Sequence, residues 1–126
     1  MKYLIIVLLI ISFNTFSCTQ DEAMAAEDLA GYAETWESLE KAFVKYKHCD
    51  DGSIGQGFSD SVAKLLAHKW EQLDYLQNKP ELYKFVLSHI DETWGLEQKQ
   101  VLVNALNKCP VFADSICKAV VNLPAT

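Results

Sequence analysis

The segment His48-Cys49-Asp50-Asp51-Gly52-Ser53-Ile54-Gly55-Gln56-Gly57-Phe58-Ser59-Asp60 gathers residue types that do chemistry, and it holds three of the chain's five glycines. Asp50, Asp51, Ser53 and Asp60 supply oxygens for a calcium loop. They lack the alternating acids before a glycine and the closing glutamate that such a loop requires. Ser53 or Ser59 with His48 and Asp60 has the composition of a hydrolase centre, yet neither serine lies between glycines at nucleophile-elbow spacing. Cys49 as a nucleophile needs a nearby base, and the adjacent His48 side chain would normally point elsewhere. Outside the segment, His68 with Glu71 and His89 with Asp91 pair metal-donor types. No third ligand accompanies either pair, and His89 falls near the apolar side of its helix, as a hydrogen-bonded residue at a core edge does. The reading is therefore of no catalytic residue, no metal and no cofactor. Asp50, Asp51, Ser53, Gln56 and Asp60 are expected instead to form an acidic rim that contacts a protein partner.

The elements that must position this rim are helical. Leu29, Tyr32, Ala33, Trp36, Leu39, Phe43 and Tyr46 recur every three or four residues, with Glu34, Glu37, Glu40, Lys41, Lys45 and Lys47 on the opposite side. That pattern predicts one long amphipathic helix with a lysine-rich last turn suited to the negative helix end. Asp50-Asp51-Gly52 is turn chemistry, and either Ser53 or Ser59 could cap the next helix. Phe58, Val62, Leu65, Leu66, Trp70 and Leu73 carry that helix to about Leu76. Pro80 opens a third helix with Leu82, Phe85, Val86 and Ile90 on its apolar face. Thr93-Trp94-Gly95 breaks the pattern. A fourth helix is expected from Leu96 to about Lys108, and after Pro110 a short last one carries Phe112, Ile116 and Val120. Trp36, Trp70 and Trp94 read as core residues, whereas Tyr75, Tyr83 and Phe112 could equally be contact residues. The expectation is an all-α single domain of about five helices with short loops.

Met1-Lys2 followed by the apolar run Leu4–Ile11 has the order of a secretory signal, and is about half the ~20 residues of a membrane span. Ser17 ahead of Cys18 resembles a lipoprotein cleavage box; Ala23-Met24-Ala25 is a second, small-x-small site. The favoured division is a signal over 1–17 with Cys18 lipidated, a tether over 18–26 and a helical domain over 27–124. Such a chain would be periplasmic, reaching the outer membrane only through its lipid.

All 11 basic residues are lysine, and beyond Lys2 the ten that remain face 17 acids, a side-chain sum of −7. An acidic surface without arginine argues against nucleic acid and suits a partner with a basic face. Four cysteines in an exported chain point to disulfides. Cys109 and Cys117 flank a short segment that local geometry closes easily, at ~2–3 kcal/mol; a Cys49–Cys109 bond would close a longer loop worth ~4 kcal/mol. Cys109–Cys117 is the pairing preferred, with Cys49 left as a buried thiol.

The strings Cys49…Gly57-Phe58-x-Asp60-x-Val62, Pro80-Glu81-Leu82 and Ala105-Leu106-x-x-Cys109-Pro110 resemble those of the Rap/Tai family. These are small exported helical proteins that act as periplasmic immunity factors against type VI secretion amidases. The resemblance spans about Tyr46 to Pro110. It implies a helical dimer that plugs an effector's active-site cleft with a loop. The family usually has paired disulfides and a different glycine-aromatic arrangement, and this chain adds Cys117. The function expected is that of a non-enzymatic immunity or inhibitor protein against a cell-wall-degrading or other toxic effector. The alternatives are a small envelope hydrolase or metal-dependent factor using His48 with nearby acids, and a structural lipoprotein.

Overall fold

A computed structural model describes residues 17–91 and 94–124. Residues 1–16 of the signal expected over 1–17, and Thr93 of the expected helix break, lie outside that set. Among the described residues the chain is all-α: α1 (Gln20–Ala30), α2 (Trp36–Tyr46), α3 (Gly52–His68), α4 (Pro80–Ser88), α5 (Glu97–Asn107) and α6 (Asp114–Val121). Short 3₁₀ segments occupy Lys47–Cys49, Trp70–Leu76 and Val111–Ala113.

Two expectations about the N-terminal half are corrected. Residues 18–26 are not a tether: Cys18 and Thr19 lead into α1, and the rest of that stretch is its first half. Thr19 accepts a hydrogen bond from the Glu22 backbone N–H, and the Glu22 carboxylate accepts one from the Thr19 N–H. This reciprocal cap satisfies two donors that an uncapped helix end leaves open. The long first helix is in fact two, because the chain leaves helical geometry between Gly31 and Thr35. Ser61 stabilises the break from across the fold. Its hydroxyl donates to the Ala30 carbonyl and accepts from the Ala33 N–H, so neither buried backbone group goes unpaired. Thr35 then caps α2 by accepting from the Ser38 N–H.

The 17-residue α3 is the centre of the molecule, with Ile54, Phe58, Val62, Leu65 and Leu66 among its buried residues. Of the two start points, the one near Ser53 is used: Asp51 is the cap, its carboxylate accepting from the Gly52 N–H. Gly52 has φ of +54°, a left-handed geometry that glycine adopts without penalty. α1 crosses α3 at very short range because Ala30 and the Gly31 that follows α1 meet Gly57. A Cβ built on Gly57 would lie 3.1 Å from the Gly31 nitrogen and 3.3 Å from its Cα. α5 lies against the same helix, and Asn104 donates to the Leu66 and Ala67 carbonyls at the α3 C-terminus. The helix ends at His68 rather than near Leu76, and a 3₁₀ segment carries the chain onward.

The three tryptophans are buried, in line with their reading as core residues, and each ties down a junction through its indole N–H. Trp36 donates to the Lys69 carbonyl, Trp70 to that of Lys108 and Trp94 to that of His89. A buried indole needs such a partner, and carbonyls at helix ends need donors. Tyr75 is half-buried and donates to Glu40, which also accepts from Lys79, so α2 is tied to the start of α4.

All four cysteines are paired, Cys18 with Cys49 and Cys109 with Cys117. The first bond corrects the reading of Cys49 as a thiol. It also conflicts with lipidation of Cys18: lipidation would place a thioether on the same Sγ, and one sulfur cannot carry both bonds. The second bond holds the end of α5 to α6.

Candidate functional site

The fold divides the His48–Asp60 segment between two polar groupings with separate partners. One faces outward and is built from α1, the 3₁₀ turn Lys47–Cys49 and the start of α3. Cys18, Thr19, Gln20, Ala23, His48 and Ser53 are among the residues around an open cleft of about 660 Å³. On its wall the His48 ring meets the Glu22 carboxylate, and beside them runs the Cys18–Cys49 bond. The His48 hydrogen bond, followed by those from the Thr19 backbone and hydroxyl, holds the Glu22 carboxyl below its usual range. A Glu22 oxygen, a His48 nitrogen and the Cys49 sulfur all lie within 4.8 Å of one another.

The other grouping points into the core. His89, at the end of α4, bonds through Nε2 to Asp50 Oδ2 and through Nδ1 to Ser59 Oγ, both at 2.8 Å. Ser59 in turn donates to Asp91 Oδ2 at 2.8 Å. The His89 ring thus bridges Asp50 and the Ser59–Asp91 pair. The rings of Phe58 and Phe85 pack around His89, with centroids 5.8 and 4.6 Å away. A serine, a histidine and an aspartate in a row have the residue types of a hydrolase triad. Accessibility argues otherwise. Ser59 is 3% and His89 7% exposed, so a substrate carbonyl has no approach to the hydroxyl. The chain works as a buried polar tie that joins the start of α3, its third turn and the end of α4.

The five expected contact residues do not form one rim. Asp50 is half-buried and committed to His89. Asp51 is exposed and caps α3. Ser53 is exposed and donates to Glu27 of α1. Gln56 is exposed and donates to Asp60, one turn further on, which is half-buried. Asp51, Ser53, Gln56 and Asp60 thus follow one solvent side of α3, with Glu27 alongside, while Asp50 turns inward. Of the residues named for a hydrolase centre, His48 pairs with Glu22 and Ser59 with His89, so the combination of His48, serine and Asp60 is not assembled. Glu71 pairs with Lys108 at 2.9 Å, on a different partner from the His68 it was matched with.

The Ser59–His89 pairing bridges residues 30 positions apart, and only the apolar setting of His89 hinted at it. The Cys18–Cys49 bond had a clearer signal. Thr19-Gln20-Asp21-Glu22 is a capping-box string directly after Cys18, and it announces a helix where a tether was expected. Comparison of the chain with protein-family models, with curated proteins and with solved structures gives no match.

Proposed function

We propose that this protein is an exported inhibitor of the immunity type, acting in the bacterial periplasm. It binds a cell-wall-degrading or otherwise toxic effector and covers that enzyme's active site. The observation that carries this reading is the use each polar group of the central segment is put to. The groups resembling a catalytic set are closed into internal pairs, whereas Asp51, Ser53, Gln56 and Asp60 line a solvent-facing side of α3 beside Glu27. Charge supports it further: 17 acids and no arginine favour a partner with a basic face, drawn in over distance. Two disulfides fit an oxidising compartment, and among the described residues no helix is long and apolar enough to cross a membrane.

The test is inhibition of exported peptidoglycan-degrading enzymes, including amidases, from the same genome. The parent chain is compared with an Asp51→Asn/Gln56→Lys/Asp60→Lys variant. Asparagine at position 51 keeps the helix cap while removing its charge. The parent inhibits one such enzyme stoichiometrically, and the variant binds it about 10-fold or more weakly with its helical signal and unfolding midpoint retained. Equal inhibition by parent and variant would remove the α3 face from the interface. Failure of the parent against every such enzyme would remove the function.

A further inference from the structure

The outward cleft contains more than a disulfide. Around the Cys18–Cys49 bond stand an imidazole and a carboxylate, His48 and Glu22, which touch each other and share a 4.8 Å neighbourhood with the Cys49 sulfur. Cys18 immediately precedes the Thr19 cap of α1 and Glu22 lies in the first turn, where the reciprocal Thr19–Glu22 cap sets their spacing. His48 and Cys49 are consecutive residues of the 3₁₀ turn. Cys18, His48 and Cys49 line the open cleft, and Glu22 joins them through its contact with His48. We propose that, with the disulfide reduced, Cys18, Glu22, His48 and Cys49 form a binding site for a thiophilic divalent cation, for which Zn²⁺ is the fitting choice. The site is independent of the inhibitor reading: it needs neither the α3 face nor a partner.

The donor set decides the metal class. Two thiolates, one imidazole and one carboxylate make a tetrahedral S₂NO set, which suits zinc and is too soft for calcium or magnesium. Zinc bonds of about 2.0–2.3 Å place neighbouring donors roughly 3.5 Å apart. From separations of up to 4.8 Å, Glu22, His48 and Cys49 need to close by roughly 1.3 Å at most to reach that, a shift side-chain torsions supply. The sulfurs must separate from their 2.00 Å bond, which reduction permits.

The chemistry balances with a dithiol reductant. Its thiolate attacks one sulfur, two electrons and two protons pass to the Cys18–Cys49 pair, and the reductant leaves as its own disulfide. Zinc then displaces the two thiol protons into solvent; the Nε2–H bond to Glu22 breaks, the ring keeps its one proton on Nδ1, and the freed Nε2 lone pair and one Glu22 oxygen complete the set, any further ring proton passing to solvent. In the other direction a disulfide oxidant takes two electrons from the thiolates and restores the S–S bond, and the ion loses both sulfur ligands. The bonded form and the metal form thus staple the same two elements, α1 and the 3₁₀ turn, in alternative redox states.

The experiment uses the full chain in a Cys109→Ser/Cys117→Ser background, so that only the Cys18–Cys49 pair is redox-active. Zn²⁺ is titrated into protein reduced with a phosphine and into protein left oxidised, with Co²⁺ as a spectroscopic reporter of thiolate ligation. The reduced protein takes up one Zn²⁺ per chain at about micromolar affinity or tighter, and the oxidised protein binds at least 10-fold more weakly. In the reduced state, His48→Ala and Glu22→Gln each weaken binding about 10-fold or more and alter the Co²⁺ spectrum. If reduction unfolds the chain, Zn²⁺ restores its helical signal. Equal uptake by oxidised and reduced protein, no uptake by reduced protein whether folded or not, or uptake indifferent to both substitutions would overturn the site.

Discussion

Two buried contacts converge on His89, from Asp50 and from Ser59. Asp50, Ser59 and the ring form a line of 2.8 Å contacts inside a pocket walled by Phe58 and Phe85. A buried polar atom that loses its partner costs about 1–3 kcal/mol, while a satisfied one contributes far less. Ser59→Ala should therefore lower stability by about 1–3 kcal/mol in chemical denaturation, with the denaturant dependence unchanged. A catalytic serine would behave differently, since its loss abolishes turnover and often spares stability. The Glu40–Tyr75–Lys79 group provides a second residue-scale test, through pH. Burial first, and then the hydrogen bond to Glu40, raise the Tyr75 hydroxyl above its usual range; Glu40 likewise raises Lys79. Burial works against ionised Glu40, but its bonds from Tyr75 and Lys79 outweigh that and hold it low. Groups raised on folding stabilise fully below their unfolded values and lose that contribution as pH climbs through the folded ones. The unfolding midpoint should then fall above about pH 10, more steeply in the parent than in Tyr75→Phe. For Glu40 the sign is opposite: its contribution holds above the ordinary carboxylate range and fades as pH drops below it. A parent and a Tyr75→Phe variant with the same alkaline slope would refute the tyrosine part.

At the scale of elements, the crossing of α1 over α3 controls the arrangement. Gly57→Ala would gain roughly 1 kcal/mol of helix propensity. Its new Cβ would lie 3.1 Å from backbone of Gly31, however, and backbone cannot rotate aside as a side chain can. A net loss of about 1–3 kcal/mol is expected, read as a lower thermal midpoint; a variant more stable than the parent would show that the helices can move apart freely. This crossing also explains what could be read from the chain in advance. Large apolar residues at three- and four-residue spacing, such as Trp36, Leu39, Val62 and Leu66, marked their helix faces correctly, because those faces are buried for that reason. Leu29 and Tyr32 extended the same rhythm across the break at Gly31–Thr35, although both are exposed. The residues buried at that crossing are Ala26, Ala30 and Ala33, whose small side chains leave little trace in a hydrophobic pattern. The inward turn of Asp50 was equally hidden: its partner His89 is 39 positions away, and local sequence carries no mark of it.

For the whole molecule, two disulfides close loops of unequal length, with separations of 31 and 8 residues. Chain entropy makes the longer one worth roughly 4 kcal/mol and the shorter roughly 2.5 kcal/mol. Replacing Cys18 and Cys49 by serine should thus lower the denaturation midpoint more than replacing Cys109 and Cys117, and the reverse order would imply that the N-terminal helix is only loosely held. With that bond in place, α1 brings Glu27 to Ser53 and completes the acidic side of α3 on which the inhibitor reading depends. The most direct measurement is the inhibition constant against an exported peptidoglycan-degrading enzyme from the same genome, for the parent and for Asp51→Asn/Gln56→Lys/Asp60→Lys. The account predicts stoichiometric inhibition by the parent and a loss of about 10-fold or more in the folded variant. Full inhibition by both, or by neither across all such enzymes, would contradict it.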